Sequence, residues 1–597
     1  MLEREPLANV LYIDLSRKRY WVERREDLFV RFLGGVGVAT QLLLEECPPD
    51  ADPLGPENPI IFAVGPLTGL FPLASKTVAM FKSPHNGLLG ESHAGGRSAI
   101  ALRMAGYGAI VIKGANETPG YIAIHGDKVY FRDASTLWGV KSSFTVGRVI
   151  REKEPSSGLR TIMRIGPAGE KLVSYACVTV DTYRHFGRLG LGAVFGAKKL
   201  KAVVIAGKRS LPVEDMAAYR KLYQDIYQQA VASPVMKKYH DLGTAQNVLP
   251  LNIIGGLPTR NLQAGKFEAA EKISGERFAH AYLGRRLACS HCPVGCVHIA
   301  ALRRPYGDEP YFYKTTMTSY DYELIYALGS MLGGSDAEEL LGLIELVEAL
   351  GLDAMSTGVV LAWATEALER GLITTKDTLG VELRWGNYSA YRQAVQFIVD
   401  QPGDFYRALA RGVTYAASVY GGEDFALAYG GNEVPGYHTG PGAHLGYLVG
   451  ARHSHLDNAG YSFDQDWLTS KGNTPSPQEL VNNLLAEEYW RQIMASLVIC
   501  FFARGIYRPQ TVIEALQVTG REFAEEELRR LGEMIYREKC RFKIRAGFSP
   551  AHLRFPARIF STPAAAGVIE PGYLQEAVTY LEKILFAGEE EGYQGGN

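Results

Sequence analysis

The chain has 597 residues, of which 47% are hydrophobic and 21% are charged. This is the composition of an ordinary globular protein, and the length predicts about three or four domains. Because 63 basic and 64 acidic residues leave a net charge of -1, the sequence argues against a general nucleic-acid-binding or membrane-surface protein.

The N-terminus and the cysteine content indicate a cytoplasmic protein. The acidic segment Met1–Pro6 leads into no apolar region typical of a signal peptide, and no stretch is long and apolar enough to span a bilayer. Seven cysteines are too few for a disulfide framework, and the number is odd. We therefore expect a soluble protein in a reducing compartment, without membrane association.

From residue 1 to about 212, short β-like runs alternate with glycine-rich turns, which predicts an N-terminal domain of mixed α and β structure. Buried strands are predicted at Pro59–Val64 and Leu200–Ala206. Two hairpins are also predicted, Val10–Leu15 with Tyr20–Glu23 and Gly120–His125 with Lys128–Arg132.

Two mostly helical domains are predicted to follow, at residues 213–423 and 424–597, so the expected fold class is α+β. The predicted helices are Asp215–Ser233, one that opens at a capping box Ser335–Glu338, Thr357–Gly371, Asp404–Tyr420, Ser476–Gly505, Pro509–Gln517 and Glu525–Lys539. The segment Gly430–Gly460 is too irregular to be one element. The charged tail Gly588–Asn597 is of low complexity.

Three cysteines lie within eight residues, in Cys289-Ser-His-Cys292-Pro-Val-Gly-Cys296. Thiolates at this spacing can converge on one metal centre, because Pro293 and Gly295 let the chain wrap around it. A fourth ligand is needed, and Cys500, in a predicted apolar helix, is the best candidate. The spacing favours an iron–sulfur cluster.

A zinc site built from the three cysteines with His291 or His298 is the alternative. Zinc sites more often use paired Cys-x-x-Cys units or histidines at defined spacing. Radical-SAM enzymes use the reverse cysteine order. The remaining cysteines have no such neighbours and are interpreted as small core or surface residues: Cys47, Cys177 and Cys540.

Three glycine-rich segments could approach an anion closely. Phe32–Val38 superficially resembles a dinucleotide fingerprint but follows no convincing strand. Glu91–Arg97 and Arg184–Gly192 combine backbone N–H groups freed by glycine with basic side chains, as a phosphate cradle requires. Each could instead be a tight turn between packed elements.

Together these segments resemble the aldehyde:ferredoxin oxidoreductase family, and the resemblance runs essentially end to end. The cysteine triplet with a distant Cys500 matches the family's four-thiolate arrangement for a [4Fe–4S] cluster. The other matching motifs are Gly65–Gly69, Lys82–Pro84, Ala94–Gly96, Ala105–Tyr107, Ile165–Glu170, Gly187-Arg188, Gly192–Val194, Leu200–Ala202 and Arg384–Asn387.

The resemblance implies a tungsten ion held by the dithiolene sulfurs of two pterins (tungsten bis-molybdopterin), with a magnesium ion bridging the pterin phosphates. The N-terminal domain would then be the base that binds the two pterins. One phosphate cradle maps to His93, Gly95 and Gly96, and the other to Arg184, His185 and Gly187. Acceptors for one pterin edge map to the short loop with Glu348, Gly351, Leu352 and Asp353.

The sequence departs from the family pattern at several positions. Lys76 stands where an arginine usually links pterin to cluster, which replaces a planar two-pronged donor by a point charge. His93 stands where some members have Asn. Ala495–Cys500 has lost the acidic residue of the second pterin motif, so one pterin is expected to be held differently. Gly342–Glu345 lacks the motif for a metal at a dimer interface.

The resemblance also implies a catalytic pair. The glutamate maps to Glu323, and the histidine maps to His455, with His453 in reserve because the spacing is one residue shorter here. Without the resemblance, Glu323 would be interpreted as a solvated helix residue. As a pair, the glutamate would act as general base for water or the hydrated aldehyde, and the histidine would polarise the carbonyl.

We therefore expect a tungsten enzyme that oxidises an aldehyde and passes the electrons through the cluster to ferredoxin or a ferredoxin-like iron–sulfur subunit. It would be a homodimer or a heteromer with an electron-transfer subunit. Two alternatives stay open, a benzoyl-CoA-reductase-like catalytic subunit and an iron–sulfur electron relay without catalysis. The sequence does not identify the aldehyde or decide between tungsten and molybdenum.

Overall fold

The computed structural model describes residues 6–154, 158–307, 309–470, 475–549 and 553–586. The predicted tail Gly588–Asn597 lies outside these residues. None of the helices in the described ranges is long and apolar enough to cross a membrane. The α+β class is confirmed: a mixed N-terminal part with two sheets precedes a mostly helical remainder. The boundaries at residues 212 and 423 remain predictions.

The N-terminal part contains two six-stranded mixed sheets. Its strands are β1 (Asn9–Asp14), β2 (Arg19–Arg24), β3 (Ile60–Ala63), β4 (Thr77–Lys82), β5 (Leu89–Ala94), β6 (Ala109–Lys113), β7 (Gly120–His125), β8 (Lys128–Asp133), β9 (Leu159–Ile165), β10 (Val178–Val180), β11 (Arg184–Phe186) and β12 (Leu200–Gly207). The sheet orders are β2-β1-β6-β3-β4-β5 and β11-β10-β9-β12-β7-β8. Both predicted hairpins form, β1 with β2 and β7 with β8.

Helices cover the two sheets, and their buried apolar faces build the core. They are α1 (Glu26–Arg31), α2 (Gly35–Glu46), α3 (Ser98–Ala105), α4 (Ser143–Lys153), α5 (Pro167–Glu170) and α6 (Leu191–Ala197). One continuous apolar core runs from the first sheet into the helical remainder, and a small second cluster lies between α4 and the sheet with β7.

The middle of the chain adds helices and a three-stranded antiparallel sheet that the sequence analysis missed. Its elements are α7 (Met216–Ala232), α8 (Pro234–Leu242), α9 (Val248–Ile254), α10 (Gly275–Ala281), β13 (Leu283–Leu287), β14 (Val297–Tyr306), β15 (Glu309–Tyr320), α11 (Tyr322–Leu328), α12 (Ala337–Leu350), α13 (Ala354–Glu369), α14 (Tyr388–Asp400), α15 (Asp404–Leu409) and α16 (Val413–Tyr420).

The last part is helical apart from one short hairpin. Its elements are β16 (Ala428–Tyr429), β17 (Asn432–Glu433), α17 (Pro441–Val449), α18 (His455–Asn458), α19 (Gly460–Ser470), α20 (Pro477–Ser496), α21 (Pro509–Val518), α22 (Glu525–Arg545), α23 (Arg558–Ser561) and α24 (Pro571–Phe586). Short 3-10 helices cover Pro6–Ala8, Ser135–Leu137, Gly243–Asn247, Ala270–Ile273, Ser330–Leu332, Glu423–Phe425 and Phe501–Ala503.

Two helix predictions were wrong in detail. The N-cap of α12 is Asp336 rather than Ser335, because its carboxylate accepts the N–H groups of the two residues at the start of the helix. The single helix predicted at Asp404–Tyr420 is two helices. Gly412, with φ of 92°, breaks it between α15 and α16, because a left-handed residue cannot continue an α-helix.

The prediction that Cys500 lies in a helix was also wrong. Helix α20 ends at Ser496, and Val498 adopts a left-handed conformation with φ of 54°. This conformation is rare for a β-branched residue. Cys500 is extended and caps the short 3-10 helix that follows. The turn after α20, rather than the helix itself, therefore positions the Cys500 thiol.

The glycine loop Phe32–Val38, which superficially resembled a dinucleotide fingerprint, allows close packing of backbone segments. It leads from α1 into α2, and a Cβ on Gly35 would lie 2.2 Å from the Ala495 carbonyl oxygen. A Cβ on Gly34 would lie 2.7 Å from the Val64 carbonyl oxygen. The end of α20 therefore docks directly on the N-terminal part, which positions Cys500 beside it.

Candidate active site and cluster site

The four cysteines predicted to bind a cluster come from two distant parts of the chain. Three lie in the loop between β13 and β14 and one follows α20: Cys289, Cys292, Cys296 and Cys500. Leu73 joins the two segments. Its N–H donates to the His291 carbonyl at 3.0 Å, and its carbonyl accepts the Cys500 N–H at 2.9 Å.

The four thiols are partly buried, and this burial disfavours ionisation of two of them, Cys292 and Cys296. Burial, together with the charge of the neighbouring thiols, raises the pKa of Cys292 to about 12 and that of Cys296 to about 11. Converging thiols of this kind become thiolates when iron binds them. The arrangement therefore suits a metal cluster.

The zinc alternative finds little support in the nearby histidines. The two ring nitrogens of His298 face the carbonyl oxygens of Cys296 and His240, at 3.2 and 3.0 Å. Within the described ranges, no group of three or more His, Cys, Asp or Glu side chains is arranged to hold a single metal ion. His298 is therefore engaged with the backbone rather than free to complete a zinc site.

The cysteine loop touches the first predicted phosphate cradle at Gly95. A Cβ on this residue would lie 2.6 Å from Cys289 Sγ, 3.5 Å from Lys76 Nζ and 3.6 Å from Arg184 Nε. A side chain would therefore collide with Cys289. Residues from both predicted cradles, Lys76 and this predicted cluster cysteine all meet at this point.

Three basic residues in and after β11, Arg184, His185 and Arg188, form what we name the Arg184 wall. The buried atoms Arg184 Nε, His185 Nε2 and Arg188 Nη1 have no hydrogen-bond partner in the part of the chain that the structure describes. Burial alone would lower the pKa of Arg184, but the thiols of Cys289 and Cys296 raise it. Burial and the Arg184 charge lower the pKa of His185 to about 3, so this ring is neutral.

The backbone beside this wall is accessible to a ligand. A Cβ on Gly187 would meet no atom within 4 Å. Gly96, on the other cradle, has φ of 96° and lies against Asp181 and Arg184. Unpaired buried donors beside an open glycine backbone are what an anionic, polar cofactor requires. The donor set therefore fits the phosphates of a pterin cofactor.

The first cradle has a different character, because its histidine is already paired. We name Glu91, His93, Arg452 and Lys539 the Glu91 network. Glu91 Oε1 lies 2.7 Å from His93 Nε2 and 3.5 Å from Arg452 Nη1, and Glu91 Oε2 lies 2.5 Å from Lys539 Nζ. Burial raises the pKa of Glu91, but Lys539 and Arg452 hold it well below its usual range. Burial lowers the pKa of His93 to about 4.

Sequence reasoning missed Lys539 and Arg452. The signal for Lys539 is its spacing, since it falls at helical intervals from Ile535 and Phe542 on the buried face of α22. A lysine on an apolar stripe needs a buried partner. Arg452 carries no comparable signal, because it lies in an irregular loop.

The last turn of α12 and the loop after it contain the predicted pterin acceptors, which already form hydrogen bonds within the protein in part. Glu348 accepts hydrogen bonds from Ser319 Oγ at 2.5 Å and Thr318 Oγ1 at 3.2 Å. Burial raises the pKa of Glu348 to about 8. This carboxyl is therefore neutral at pH 7 and can donate as well as accept.

The rest of that loop links the helical part to the N-terminal sheet. Gly351 has φ of 79°, and its carbonyl accepts the Cys177 N–H at 2.8 Å. Leu352 forms a β-bridge with Ala176. Asp353 caps α13 and accepts a hydrogen bond from Arg188 of the Arg184 wall at 3.2 Å. The loop therefore lies next to this wall.

The predicted catalytic residues meet in the fold. Glu323, in the first turn of α11, places Oε1 3.3 Å from His455 Nε2 at the start of α18. Burial, with a contribution from Asp321, raises the pKa of Glu323 to about 8. Burial and the charge of Arg188 hold the pKa of His455 well below its usual range. Glu323 therefore lies beside a neutral imidazole, and among the described residues His455 Nδ1 has no hydrogen-bond partner.

The reserve histidine is differently placed. His453 Nδ1 lies 3.0 Å from the Tyr447 carbonyl oxygen, and its Nε2 lies 3.1 Å from Lys543 Nζ. Both nitrogens are therefore engaged with the scaffold. Aromatic rings enclose His455 instead, with the ring centroid of Tyr437 at 5.2 Å and that of Tyr461 at 6.3 Å.

Known proteins resemble this chain along nearly its whole length. The family description "Aldehyde ferredoxin oxidoreductase, N-terminal domain" matches residues 10–207, and "Aldehyde ferredoxin oxidoreductase, domains 2 & 3" matches residues 221–585. A tungsten-containing aldehyde ferredoxin oxidoreductase of Thermococcus kodakarensis is 34% identical over 576 residues, which cover 93% of this chain and 92% of that protein. One from Pyrococcus furiosus is 33% identical over 91% of this chain and 90% of its own length.

Two further likenesses widen the comparison. The WOR-like subunit of an aliphatic sulfonate oxidoreductase from Pyrococcus furiosus is 34% identical over 69% of this chain and 67% of that subunit. The active site complex BamBC of benzoyl coenzyme A reductase, solved with 1,5-dienoyl-CoA, shares the fold. Its TM-score is 0.82 at 22% identity, covering 97% of this chain and 94% of that one. The chain is therefore an oxidoreductase of the aldehyde ferredoxin oxidoreductase family.

Proposed function

We propose that this protein oxidises an aldehyde to the carboxylic acid and transfers the electrons to an iron–sulfur protein. The observation that carries the proposal is the close contact between the largely shielded side chains of Glu323 and His455. Water supplies the oxygen, so the reaction needs a base for water or the hydrated aldehyde and a group that polarises the carbonyl.

Glu323 is the base in this proposal. Its pKa of about 8 lies close to the working pH, where a base is most effective. His455 stays neutral and can donate a hydrogen bond to the substrate oxygen, while His453 is part of the scaffold. Buried aromatic rings around the pair exclude water, which strengthens both interactions.

The cofactor set that we propose is a tungsten bis-molybdopterin with a magnesium ion bridging its phosphates. The Arg184 wall and Gly187 would hold one phosphate group, and His93, Gly95 and Gly96 the other. Asp353 and the protonated Glu348 would meet a pterin edge. When bound, tungsten supplies the two-electron redox chemistry.

We propose that the four thiolates would hold a [4Fe–4S] cluster, which would supply one-electron transfer when bound. At Gly95 the backbone lies against Cys289 and next to Arg184 of the second cradle, so a cluster held there would be close to both cradles. The acceptor would be ferredoxin or a ferredoxin-like iron–sulfur subunit. The assembly would be a homodimer or a heteromer with such a subunit.

The test is metal analysis of anaerobically purified protein combined with a panel of aliphatic and aromatic aldehydes. We expect tungsten, about four iron atoms per chain as the cluster type requires, and reduction of ferredoxin by at least one aldehyde. Protein with iron but no tungsten or molybdenum would point to an electron relay. Direct reduction of NAD without another protein or a flavin would contradict the proposed acceptor.

Cys500→Ala is expected to lose cluster iron, whereas Cys177→Ala, a buried cysteine away from the cluster loop, is the matched control and should keep it. Equal iron in wild type and Cys500→Ala would remove Cys500 from the ligand set. The same panel should include an aliphatic sulfonate and an aromatic CoA thioester. Turnover of either, with every aldehyde inert, would overturn the aldehyde assignment.

A further inference from the structure

A chain of hydrogen-bonded side chains leads away from the cofactor-binding side of the site. At its inner end, Asp353 Oδ2 accepts from Arg188 Nε at 3.2 Å and lies 2.7 Å from Ser356 Oγ. Ser356 Oγ lies 2.6 Å from Glu433 Oε2. The proposed chemistry assigns no role to Ser356 or Glu433.

The chain continues to the surface. Glu433 Oε2 lies 2.8 Å from His85 Nε2, and His85 Nδ1 lies 2.8 Å from Ser174 Oγ. His85 and Ser174 both line a cavity of about 540 Å³. Exposed residues also line this cavity, Arg411, Thr414 and Ser418 among them. Water can therefore reach the outer end of the chain.

The middle of the chain shares protons between acids. Ser356 carries one hydroxyl proton but lies within 2.7 Å of two carboxyl groups, those of Asp353 and Glu433. It can donate to only one of them at a time, and the second contact is a hydrogen bond only if that carboxyl is protonated.

The chain is shielded from solvent along its length. The side chains of His85 and Glu433 are 1% and 0% exposed, and Ser356 is 1% exposed. The Val413 N–H holds the other Glu433 oxygen at 3.0 Å. Solvent therefore does not compete with the hydrogen bonds that join Ser356, Glu433 and His85.

We propose that Asp353, Ser356, Glu433, His85 and Ser174 form a proton path between the cofactor site and the cavity. The inference rests on the proposed function. Oxidation of an aldehyde with water to the carboxylic acid releases two electrons and two protons. The electrons leave through the cluster, and the protons need a separate exit from a buried site.

One proton crosses in a chain of exchanges. A proton taken up at Asp353 Oδ2 moves to Ser356 Oγ as the serine's own proton passes to Glu433 Oε2. His85 accepts that proton at Nε2 and gives its Nδ1 proton to Ser174, whose own proton leaves to water in the cavity. Each acceptor makes one bond to hydrogen and breaks one, one proton enters and one leaves, and no electron moves.

Charged and titratable groups flank both ends of the proton path. Arg188 stands beside Asp353 and also donates to the Glu433 carbonyl at 2.7 Å. At the outer end, Tyr175 packs edge-on against His85, with ring centroids 5.8 Å apart, and Arg411 lines the cavity.

The test is His85→Ala, which leaves space for a small base beside the cavity. We expect normal iron and tungsten content and a kcat lower by roughly 10²-fold, the lower end of what a proton-transfer group contributes. Imidazole should restore turnover. Pyrazole, a ring of the same size that stays unprotonated near neutral pH, should not.

A second readout separates a proton path from a structural role. In a single turnover followed with a pH indicator, proton release should coincide with cluster reduction in wild type and lag behind it in His85→Ala. Thr414→Val, which alters the cavity but not the chain, is the control and should show no lag. Equal rescue by pyrazole, or no lag in a fully metallated variant, would overturn the proposal.

If His85→Ala does not take up its metals, Glu433→Gln decides the question, because the amide keeps size and loses the acid. Slow turnover with delayed proton release supports the path, and wild-type behaviour refutes it. The two proposals fail differently. Wild type without aldehyde oxidation removes the proposed function, whereas active wild type with equally active variants removes only the proton path.

Discussion

The Arg184 wall and the Glu91 network lie on the same site but differ in how their charges are satisfied. Among the described residues, the wall leaves buried atoms of Arg184, His185 and Arg188 without hydrogen-bond partners, whereas Glu91 is surrounded by His93, Arg452 and Lys539. An unpaired buried polar group costs about 1–3 kcal/mol. This cost supports our proposal that the wall faces the cofactor, whereas the network is a paired scaffold beside His93.

Glu323→Gln tests the chemistry while leaving both regions intact, and it has the largest expected effect. The amide keeps size but removes the base, so kcat for aldehyde oxidation should fall roughly 10²–10⁴-fold. Iron and tungsten content should not change. His455→Asn should also slow turnover with metals retained, and His453→Asn is the comparison. Near-normal activity of the fully metallated Glu323→Gln variant would rule out Glu323 as the base.

Glu91→Gln tests the scaffold. It leaves Lys539 and Arg452 buried without their shared carboxylate, so the free energy of unfolding should fall by about 3–5 kcal/mol. Denaturant unfolding of the metal-free protein measures this. The matched control on α22 is Glu533→Gln, which removes an exposed pair with Arg537 at 2.9 Å and should cost less than about 1 kcal/mol. An equal loss of unfolding free energy in the two variants would contradict the distinction between the buried Glu91 network and an exposed ion pair.

Arg184→Gln tests the Arg184 wall. In contrast to Glu91→Gln, it should weaken cofactor binding without lowering the free energy of unfolding. Removing a donor to a phosphate should weaken cofactor retention by roughly 10–100-fold, the equivalent of one charged hydrogen bond. Pterin and tungsten content after gel filtration measure this. The metal-free protein should unfold no more easily than wild type. Arg97→Gln, nearby but 46% exposed, is the control and should retain its cofactor.

The pH profile is the smallest expected effect. Burial raises the pKa of Glu323 to about 8, so below that pH the carboxyl carries a proton and cannot act as a base. We expect kcat to rise with pH and level off above about 8, and this limb should be absent in Glu323→Gln. His455, whose pKa is lowered, should stay neutral throughout. A flat wild-type profile from pH 6 to 9 would contradict the role of Glu323.

Local patterns predicted much of the fold. Both hairpins of the N-terminal part form where turn residues and alternation placed them. Two of the failures share one cause, since a single residue with a positive φ redirects the chain without changing its apolar pattern. Gly412 divides a helix in this way, and Val498 ends the apolar run before Cys500.

The sequence alone predicted residues of the candidate site only where they belong to a local motif. The cysteine triplet is visible from spacing, but the contact between Glu323 and His455 joins residues 132 positions apart (455 minus 323), and only the family resemblance brought them together. The Glu91 network was missed because residue type alone does not distinguish a buried lysine such as Lys539 from a surface one. Only its spacing on α22 indicates that it is buried. The three-stranded sheet was missed because much of β14 and β15 is polar and exposed.

The pairing of Glu91 with Lys539 also sets an order in time. The two residues are 448 positions apart (539 minus 91), so the strand with Glu91 leaves the ribosome long before helix α22 exists. Contacts of such long range form late in folding, because the intervening chain must first be ordered. The site therefore closes only when the last part of the chain docks, and a cofactor larger than its openings must enter before that moment.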